Sequence, residues 1–154
     1  MIKSGRKWYG DQFFNNSTQS FNFNFPNNQG QIILTGSFAT VVPSPYTSSY
    51  ILNMNGEQKS VNALGSVGNY NFASISSFEH SFSPPDLVEL DIQFLSSYSG
   101  AEGWIDYLEL NARRDLKMEG SQLIFRDIET VNKGAITEFE LSNTNNDVIV
   151  WDIT

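Results

Sequence analysis

The chain has 154 residues and a net charge of -8, from 9 basic and 17 acidic residues, and it contains no cysteine. The acidic balance disfavours nucleic acid and anionic membrane surfaces as partners, and the lack of cysteine excludes disulfides, thiolate metal sites and cysteine nucleophiles within the chain. No run of residues approaches the ~18 consecutive apolar positions of a membrane helix, so direct membrane insertion is not expected.

The first half of the chain is predicted to consist of short β-strands joined by turns. Three Phe alternate with two Asn over residues 20–25, which is the clearest period-two pattern in the sequence. The dipeptide Asn55-Gly56 suits a type I′ turn between two short strands and predicts a hairpin. Gly36 lies inside an otherwise regular strand pattern and is a candidate for a β-bulge. The predicted strands span residues 20–25, 31–39, 50–53, 58–61 and 70–82.

The second half is arranged around a long alternating stretch, residues 104–118, whose even positions are mostly apolar. Fifteen extended residues would reach roughly 50 Å, more than twice the usual length of a strand. We therefore expect a bend or bulge near residues 111–113. The predicted strands of this half span residues 87–94, 104–118, 122–126, 135–141 and 148–154.

About ten short strands without a helical period favour an all-β fold, a two-sheet antiparallel β-sandwich of jelly-roll type. The length suits a single domain over residues 1–154. Residues 1–7 are charged and precede no apolar signal-peptide stretch, and the chain stops within the strand-like residues 148–154. We therefore expect a domain excised from a longer protein. Its composition, rich in Asn, Ser, Phe and Tyr and poor in Lys, Arg and Ala, is typical of an extracytoplasmic one.

Few residues are candidates for catalysis. His80 is the only histidine, and its alternation with Phe78 and Phe82 predicts a histidine at the core edge rather than a metal ligand. Asp106 and Glu109 have an odd spacing, which on a strand places them on opposite faces. Asp106 and Arg114 are charged residues on the apolar face of the central stretch, and a buried charge needs a partner, so each is expected to have a structural one.

Other residues are candidates for binding. The acidic loops at Asp86, 127–129 and 145–147 could supply oxygen ligands to calcium, but none has the spacing of a calcium loop, and solvated acids are the preferred interpretation. Tyr46, Tyr98 and Trp8 are candidates for stacking on sugar rings, although most aromatic residues must fill the core. Residues 16–18, Asn-Ser-Thr, match a glycosylation sequon.

Four segments of the chain are informative together: Ser4-Gly-Arg-Lys-Trp-Tyr-Gly10, Gly103-Trp-Ile-Asp-Tyr-Leu-Glu-Leu-Asn111, Gln122-Leu-Ile-Phe-Arg-Asp127 and Val150-Trp-Asp-Ile-Thr154. They resemble the region that precedes the peptidase domain in the PorU family of type IX secretion sortases, which are gingipain-like cysteine peptidases. In such proteins the catalytic cysteine and histidine follow the position that matches Thr154. The resemblance therefore implies a chain that is not itself an enzyme, with no catalytic, cofactor-binding or metal-binding residue.

The resemblance further implies an accessory domain of an outer-membrane-associated protein at the cell surface. The parent would cleave the C-terminal signal of secreted cargo and attach the cargo to a surface lipopolysaccharide. The expected partners are the downstream peptidase domain and other components of the secretion system, and an exposed apolar patch near Trp151 is expected where that domain docks. Two alternatives remain open: a carbohydrate-binding module, marked by a row of exposed aromatics, and a hydrolase, marked by convergent carboxylates.

Overall fold

The computed structural model describes residues 8–65, 72–83, 87–134, 136–145 and 147–151. Their contacts divide the chain into two compact units, residues 1–113 and 114–154. Within the described residues there are eight strands and one short 3-10 helix, and none of the helical structure is long and apolar enough to cross a membrane. The elements are β1 (Gln12–Phe14), β2 (Thr18–Asn24), β3 (Asn28–Val41), β4 (Ser48–Met54), β5 (Glu57–Ala63), β6 (Ser74–Phe82), β7 (Leu87–Ser96), β8 (Glu102–Arg114) and the 3-10 helix (Ile128–Val131).

The strands form two four-stranded antiparallel sheets that pack as a sandwich. The first sheet has the order β1-β8-β3-β6 and the second has the order β2-β7-β4-β5. The prediction of an all-β, two-sheet antiparallel sandwich is confirmed. Two sheets of four strands are also the strand content of a jelly roll, but the jelly-roll connectivity stays a prediction, as does the single domain over residues 1–154.

Alternation of apolar and polar residues decides which side of each strand faces the core. In β7 the side chains of Val88, Leu90, Ile92 and Phe94 are fully buried, whereas Glu89 and Asp91 are exposed. Because successive side chains of a strand point to opposite faces, this pattern fixes the register of the strand against the core. The sequence prediction for β7 is confirmed.

The β4–β5 hairpin follows from its turn residues. Asn55 and Gly56 both have positive φ, 49° and 91°, which is the requirement of a type I′ turn. The Asn53 side-chain oxygen accepts a hydrogen bond from the Gly56 N–H at 3.0 Å. The predicted hairpin is confirmed, with strands that are one or two residues longer at each end than the predicted ones.

Stacked aromatic rings from both sheets fill the middle of the core. The ring of Phe38 lies 3.9 Å from that of Tyr50 and 5.3 Å from that of Phe78, and both pairs are nearly parallel. Phe13 meets Tyr50 edge-on at 5.6 Å. The Tyr50 hydroxyl shares a hydrogen bond of 2.9 Å with Thr40, so that a polar group at the centre of the core has a partner.

Because of Tyr50, the free energy of unfolding of the protein should decrease at alkaline pH. Burial raises the pKa of Tyr50 to about 12, although its hydrogen bond with Thr40 acts in the opposite direction. The unfolded chain therefore loses the phenol proton at a lower pH than the folded chain, whose stability falls as the pH rises from about 10 to about 12. We expect a loss of roughly 2.5 kcal/mol over this range, measured by urea unfolding at several pH values.

Two variants test the assignment to Tyr50. Tyr50→Phe removes the buried phenol, so its unfolding free energy should fall less steeply above pH 10, after allowance for a lower stability at neutral pH. Tyr107 is 47% exposed, and Tyr107→Phe should retain the full alkaline decrease. Parallel pH profiles for the original chain and Tyr50→Phe would contradict the assignment.

The central stretch forms β8, but its irregularity lies earlier than predicted. Gly103 and Ile105 are buried at odd positions, whereas from Leu108 onward the even positions face the core. A change of phase in a period-two pattern requires a local irregularity. Ile105 donates its backbone hydrogen bond to Asp11 and accepts one from Gly10, so Gly10 and Asp11 form a two-against-one bulge on the segment that faces Ile105.

The prediction that this stretch extends to residue 118 is wrong, because β8 ends at Arg114. Against β6 there is no bulge at Gly36, because β3 pairs with β6 in one continuous register from Ile32 to Thr40. Gly36 instead gives space to a ring, since a Cβ there would lie 2.7 Å from Phe78. The predicted strand over residues 70–82 begins at Ser74, and residues 70 and 71 lie outside the described residues.

In the second unit, strands are predicted at residues 122–126, 135–141 and 148–154. The structure describes residues 122–126, 136–141 and 148–151 of these, and none of them forms a strand, so the predictions are wrong there. Ala135 and residues 152–154 lie outside that part. The alternation is present, but Ile124 and Ile136 are 72% and 99% exposed. An alternating segment forms a strand only where a neighbouring strand pairs with it and a core covers its apolar face. Within the described part of this unit, an isolated β-bridge joins Lys117 to Ser142. The rings of Phe125 and Phe139 lie 5.1 Å apart.

Candidate functional site

A cleft of about 610 Å³ lies at one end of the second sheet, where β4 begins and where β5 and β7 end. The lining residues that the structure describes are all uncharged, and the cleft opens to solvent. Its apolar part includes Leu64 and Leu95. The polar lining includes Asn16, Thr47, Ser49, Asn62, Ser96 and Ser97.

Hydrogen bonds hold the rim of the cleft in place. The carbonyl oxygen of Thr47 accepts a hydrogen bond from the Ser97 N–H at 3.1 Å and from the Ser96 hydroxyl at 3.2 Å. The Thr47 N–H in turn donates to the Ser97 hydroxyl at 3.1 Å. The Ser48 hydroxyl donates to that of Ser96 at 2.9 Å. The loop before β4 is therefore fixed to the end of β7.

Two tyrosines from these same loops contact each other. The rings of Tyr46 and Tyr98 lie 5.1 Å apart at an angle of 35°, and Tyr46 is 43% exposed. Each was a separate candidate for stacking on sugars, and the structure brings the two together beside the cleft residues Thr47 and Ser97. The third candidate, Trp8, is 81% exposed and has no recorded ring contact among the described residues.

His80 lies in a row of aromatic rings on β6. Its ring is 5.7 Å from Phe78 and 6.5 Å from Phe82, and the residue is half-buried. This is the environment expected for a histidine at the core edge. Its Nε2 atom is buried without a hydrogen-bond partner in the described structure. Across residues 8–65, 72–83, 87–134, 136–145 and 147–151, no three side chains of His, Cys, Asp or Glu are grouped closely enough to hold a metal ion.

Asp106 and Glu109 of β8 do not lie on one face of the strand. Asp106 is half-buried and Glu109 is exposed, so the pair lies on opposite faces as predicted and cannot act together on one substrate. The Glu109 carboxylate accepts a hydrogen bond from the Asn111 side chain at 3.0 Å. Arg114 donates from its guanidinium to the carbonyl oxygen of Ile124 at 3.4 Å, so it has the structural partner that the sequence analysis expects.

The acidic loops show local hydrogen bonds. The carbonyl oxygen of Asp127 accepts hydrogen bonds from the N–H and the hydroxyl of Thr130, at 3.1 and 2.6 Å. The side-chain oxygen of Asn145 accepts one from the N–H of Asp147 at 3.3 Å. Asp86, Asn146 and the side chain of Glu129 lie outside the described residues. Asn16 of the sequon is exposed in the β1–β2 turn with a φ of 66°.

Sequence reasoning missed the cleft itself. Its residues come from the β1–β2 turn and from the ends of three strands, so they are far apart in the chain. Serine, threonine and asparagine at strand ends are typical of turns, and the sequence offers no signal that separates these from ordinary turn residues. The sheet order is needed to identify the site, because the pairing of β4 with β7 brings the run Thr47-Ser48-Ser49 next to the run Ser96-Ser97.

Comparisons with known proteins show a likeness in fold. The chain matches no protein-family model and no curated protein sequence. Among solved structures it is similar to PorU from Porphyromonas gingivalis, in a crystal structure of the dimeric latent protein, with a TM-score of 0.60 and 21% sequence identity. The match covers 76% of this chain and 12% of PorU. The chain therefore shares the fold of a small part of PorU.

Proposed function

We propose that this chain is a non-catalytic accessory domain of a type IX secretion sortase, preceding its peptidase domain. The likeness in fold to a part of PorU carries the proposal. The absence of cysteine supports a role other than cysteine-peptidase catalysis for this chain. The order of the four resembling segments along the sequence supports the same assignment.

In this proposal the chain acts at the cell surface, as part of an outer-membrane-associated protein that processes the C-terminal signals of secreted cargo. Its partners are the peptidase domain of the same protein and other secretion components. An accessory domain of this kind works by holding or presenting the catalytic domain, so its function depends on a contact surface.

The apolar segment Val148–Trp151 is the contact surface that we propose. Ile149, Val150 and Trp151 are 75%, 77% and 78% exposed. Consecutive exposed apolar side chains are uncommon on monomeric proteins and often mark an interaction site. Tryptophan is also enriched among the residues that contribute most to binding at protein interfaces.

Binding of this chain to the separately expressed peptidase domain of the parent sortase tests the proposal. We expect a stable complex, and Trp151→Ala should weaken it about thirtyfold, the effect of losing an interface residue worth about 2 kcal/mol. Trp8 is 81% exposed, so Trp8→Ala is the matched control and should leave the affinity unchanged. Affinity is measured by calorimetry, and far-UV circular dichroism checks that both variants are folded.

The absence of any complex between the original chain and the peptidase domain would contradict the proposed function. A complex that Trp8→Ala and Trp151→Ala weaken equally would retain the accessory role but reject the segment Val148–Trp151 as its contact surface.

A further inference from the structure

We propose that the cleft at the end of the second sheet binds a neutral saccharide. The site is formed by the beginning of β4, the ends of β5 and β7, and the β1–β2 turn. It lies in the first unit, whereas the proposed contact with the peptidase domain involves the second. The inference therefore does not depend on the proposed function.

Unused hydrogen-bonding groups in the cleft are the first argument. The side chains of Asn16, Thr47, Ser49 and Asn62 line it and make no hydrogen bond within the part of the chain that the structure describes. Two amides and two hydroxyls supply both donors and acceptors. A sugar hydroxyl also donates and accepts, so these four side chains match the chemistry of a polyol.

Order in the rim is the second argument. The hydroxyls of Ser96 and Ser97 are bonded to the backbone of Thr47, so they fix the loop that carries Thr47 beside Ser49 and Asn62, which stand on strands β4 and β5. A site that is already ordered loses less conformational entropy when a ligand binds. The cleft therefore differs from a mobile loop surface that carries the same residue types.

The uncharged character of the described lining residues favours one class of ligand. A charged ligand would leave its charge without a counter-charge in the cleft, at a cost in free energy. A wholly apolar ligand would cover the open amides and hydroxyls without replacing their hydrogen bonds to water. A neutral sugar has hydroxyls for the polar groups and C–H faces for Leu64 and Leu95, which also line the cleft.

The pair of Tyr46 and Tyr98 extends the site. Tyr46 directly precedes the cleft residue Thr47, and Tyr98 directly follows Ser97. Their ring contact fixes the two side chains relative to each other, while Tyr46 keeps 43% of its surface exposed. The cleft volume of about 610 Å³ is within the usual range of ligand pockets, and the tyrosines offer a stacking surface beside it.

Titration with neutral hexasaccharides tests the proposal. The probes are maltohexaose, cellohexaose, mannohexaose and chitohexaose, added to the isotopically labelled full chain and followed by backbone amide NMR. We expect at least one of them to shift the signals of Ser49, Asn62 and Ser97. Asn62→Ala should weaken that binding about tenfold, and Tyr46→Ala about fivefold.

Control variants are available in the same fold. Asn22 is an exposed asparagine of the same sheet, on β2, outside the cleft, and Asn22→Ala should leave the affinity unchanged. Tyr107→Ala is the corresponding control for Tyr46→Ala. The proposal is overturned if none of the four probes shifts the cleft signals, or if Asn62→Ala and Asn22→Ala bind the active probe equally well. The affinity of the chain for the peptidase domain is measured in a separate experiment. Its result shows whether the proposed accessory role fails together with saccharide binding or independently of it.

Discussion

Phe38→Ala should lower the free energy of unfolding by about 4 kcal/mol, as is typical when a large buried aromatic residue is truncated. Phe38 is fully buried and its ring lies between those of Tyr50 and Phe78, at 3.9 and 5.3 Å, with Phe13 edge-on at 6.4 Å. Removal of the middle ring leaves a cavity that its neighbours cannot fill without giving up their own contacts. Urea unfolding at neutral pH measures the change.

Phe14→Ala is the matched control, because Phe14 lies on β1 in the same sheet but is 58% exposed. Its loss should be below about 1 kcal/mol. Phe38→Leu keeps part of the volume and should lose less stability than Phe38→Ala, so it remains measurable if the alanine variant does not fold. Equal losses for Phe14→Ala and Phe38→Ala would mean that the aromatic stack is not the centre of the core.

The elements that sequence analysis identified correctly are those whose signal is local. In β7 four apolar residues alternate with polar ones, and this pattern alone determines both the strand and its buried face. The β4–β5 hairpin depends on Asn55 and Gly56, two adjacent residues that readily adopt positive φ. For such elements the backbone preference and the hydrophobic pattern agree, and the rest of the fold need not be known.

The errors arise where a strand depends on a distant partner. Residues 136–141 alternate as clearly as a strand does, yet Ile136 is 99% exposed, and the described residues there form no strand. The local pattern makes Gly36 a candidate for a β-bulge, but its role is to leave space for the ring of Phe78 on β6. The bulge of Gly10 and Asp11 opposite Ile105 depends on the pairing of that segment with β8. None of these partners can be read from the local sequence.

The candidate site shows the same limit. Tyr46 and Tyr98 could be proposed as exposed aromatics from their loops, but their contact requires the pairing of β4 with β7. The open side chains of Ser49 and Asn62 share one cleft because Ser49 pairs with Asn62 across β4 and β5. The exposed aromatic residues could therefore suggest sugar stacking in general. The location of a sugar-binding cleft follows only from the order of the strands in the sheet.

Gly103→Ala should destabilise the protein by about 3 kcal/mol, at the upper end of the usual cost of overpacking a core. A Cβ on Gly103 would overlap the hydroxyl of Tyr50. That hydroxyl cannot move away cheaply, because Thr40 and the carbonyl oxygen of Ala39 hold it at 2.9 and 3.2 Å and Phe38 stacks on its ring. Either these contacts are lost or β8 shifts away from the core.

The pair of variants Gly103→Ala and Tyr50→Phe separates this clash from a general effect of alanine in a strand. Tyr50→Phe removes the overlapping oxygen, so the double variant should lose less stability than the sum of the two single losses, by about 1–2 kcal/mol in a double-mutant cycle. Gly30→Ala on β3, where a Cβ would meet nothing within 4 Å, should change stability by less than about 0.5 kcal/mol. Strictly additive losses would show that Gly103 is required for another reason than space for the Tyr50 hydroxyl.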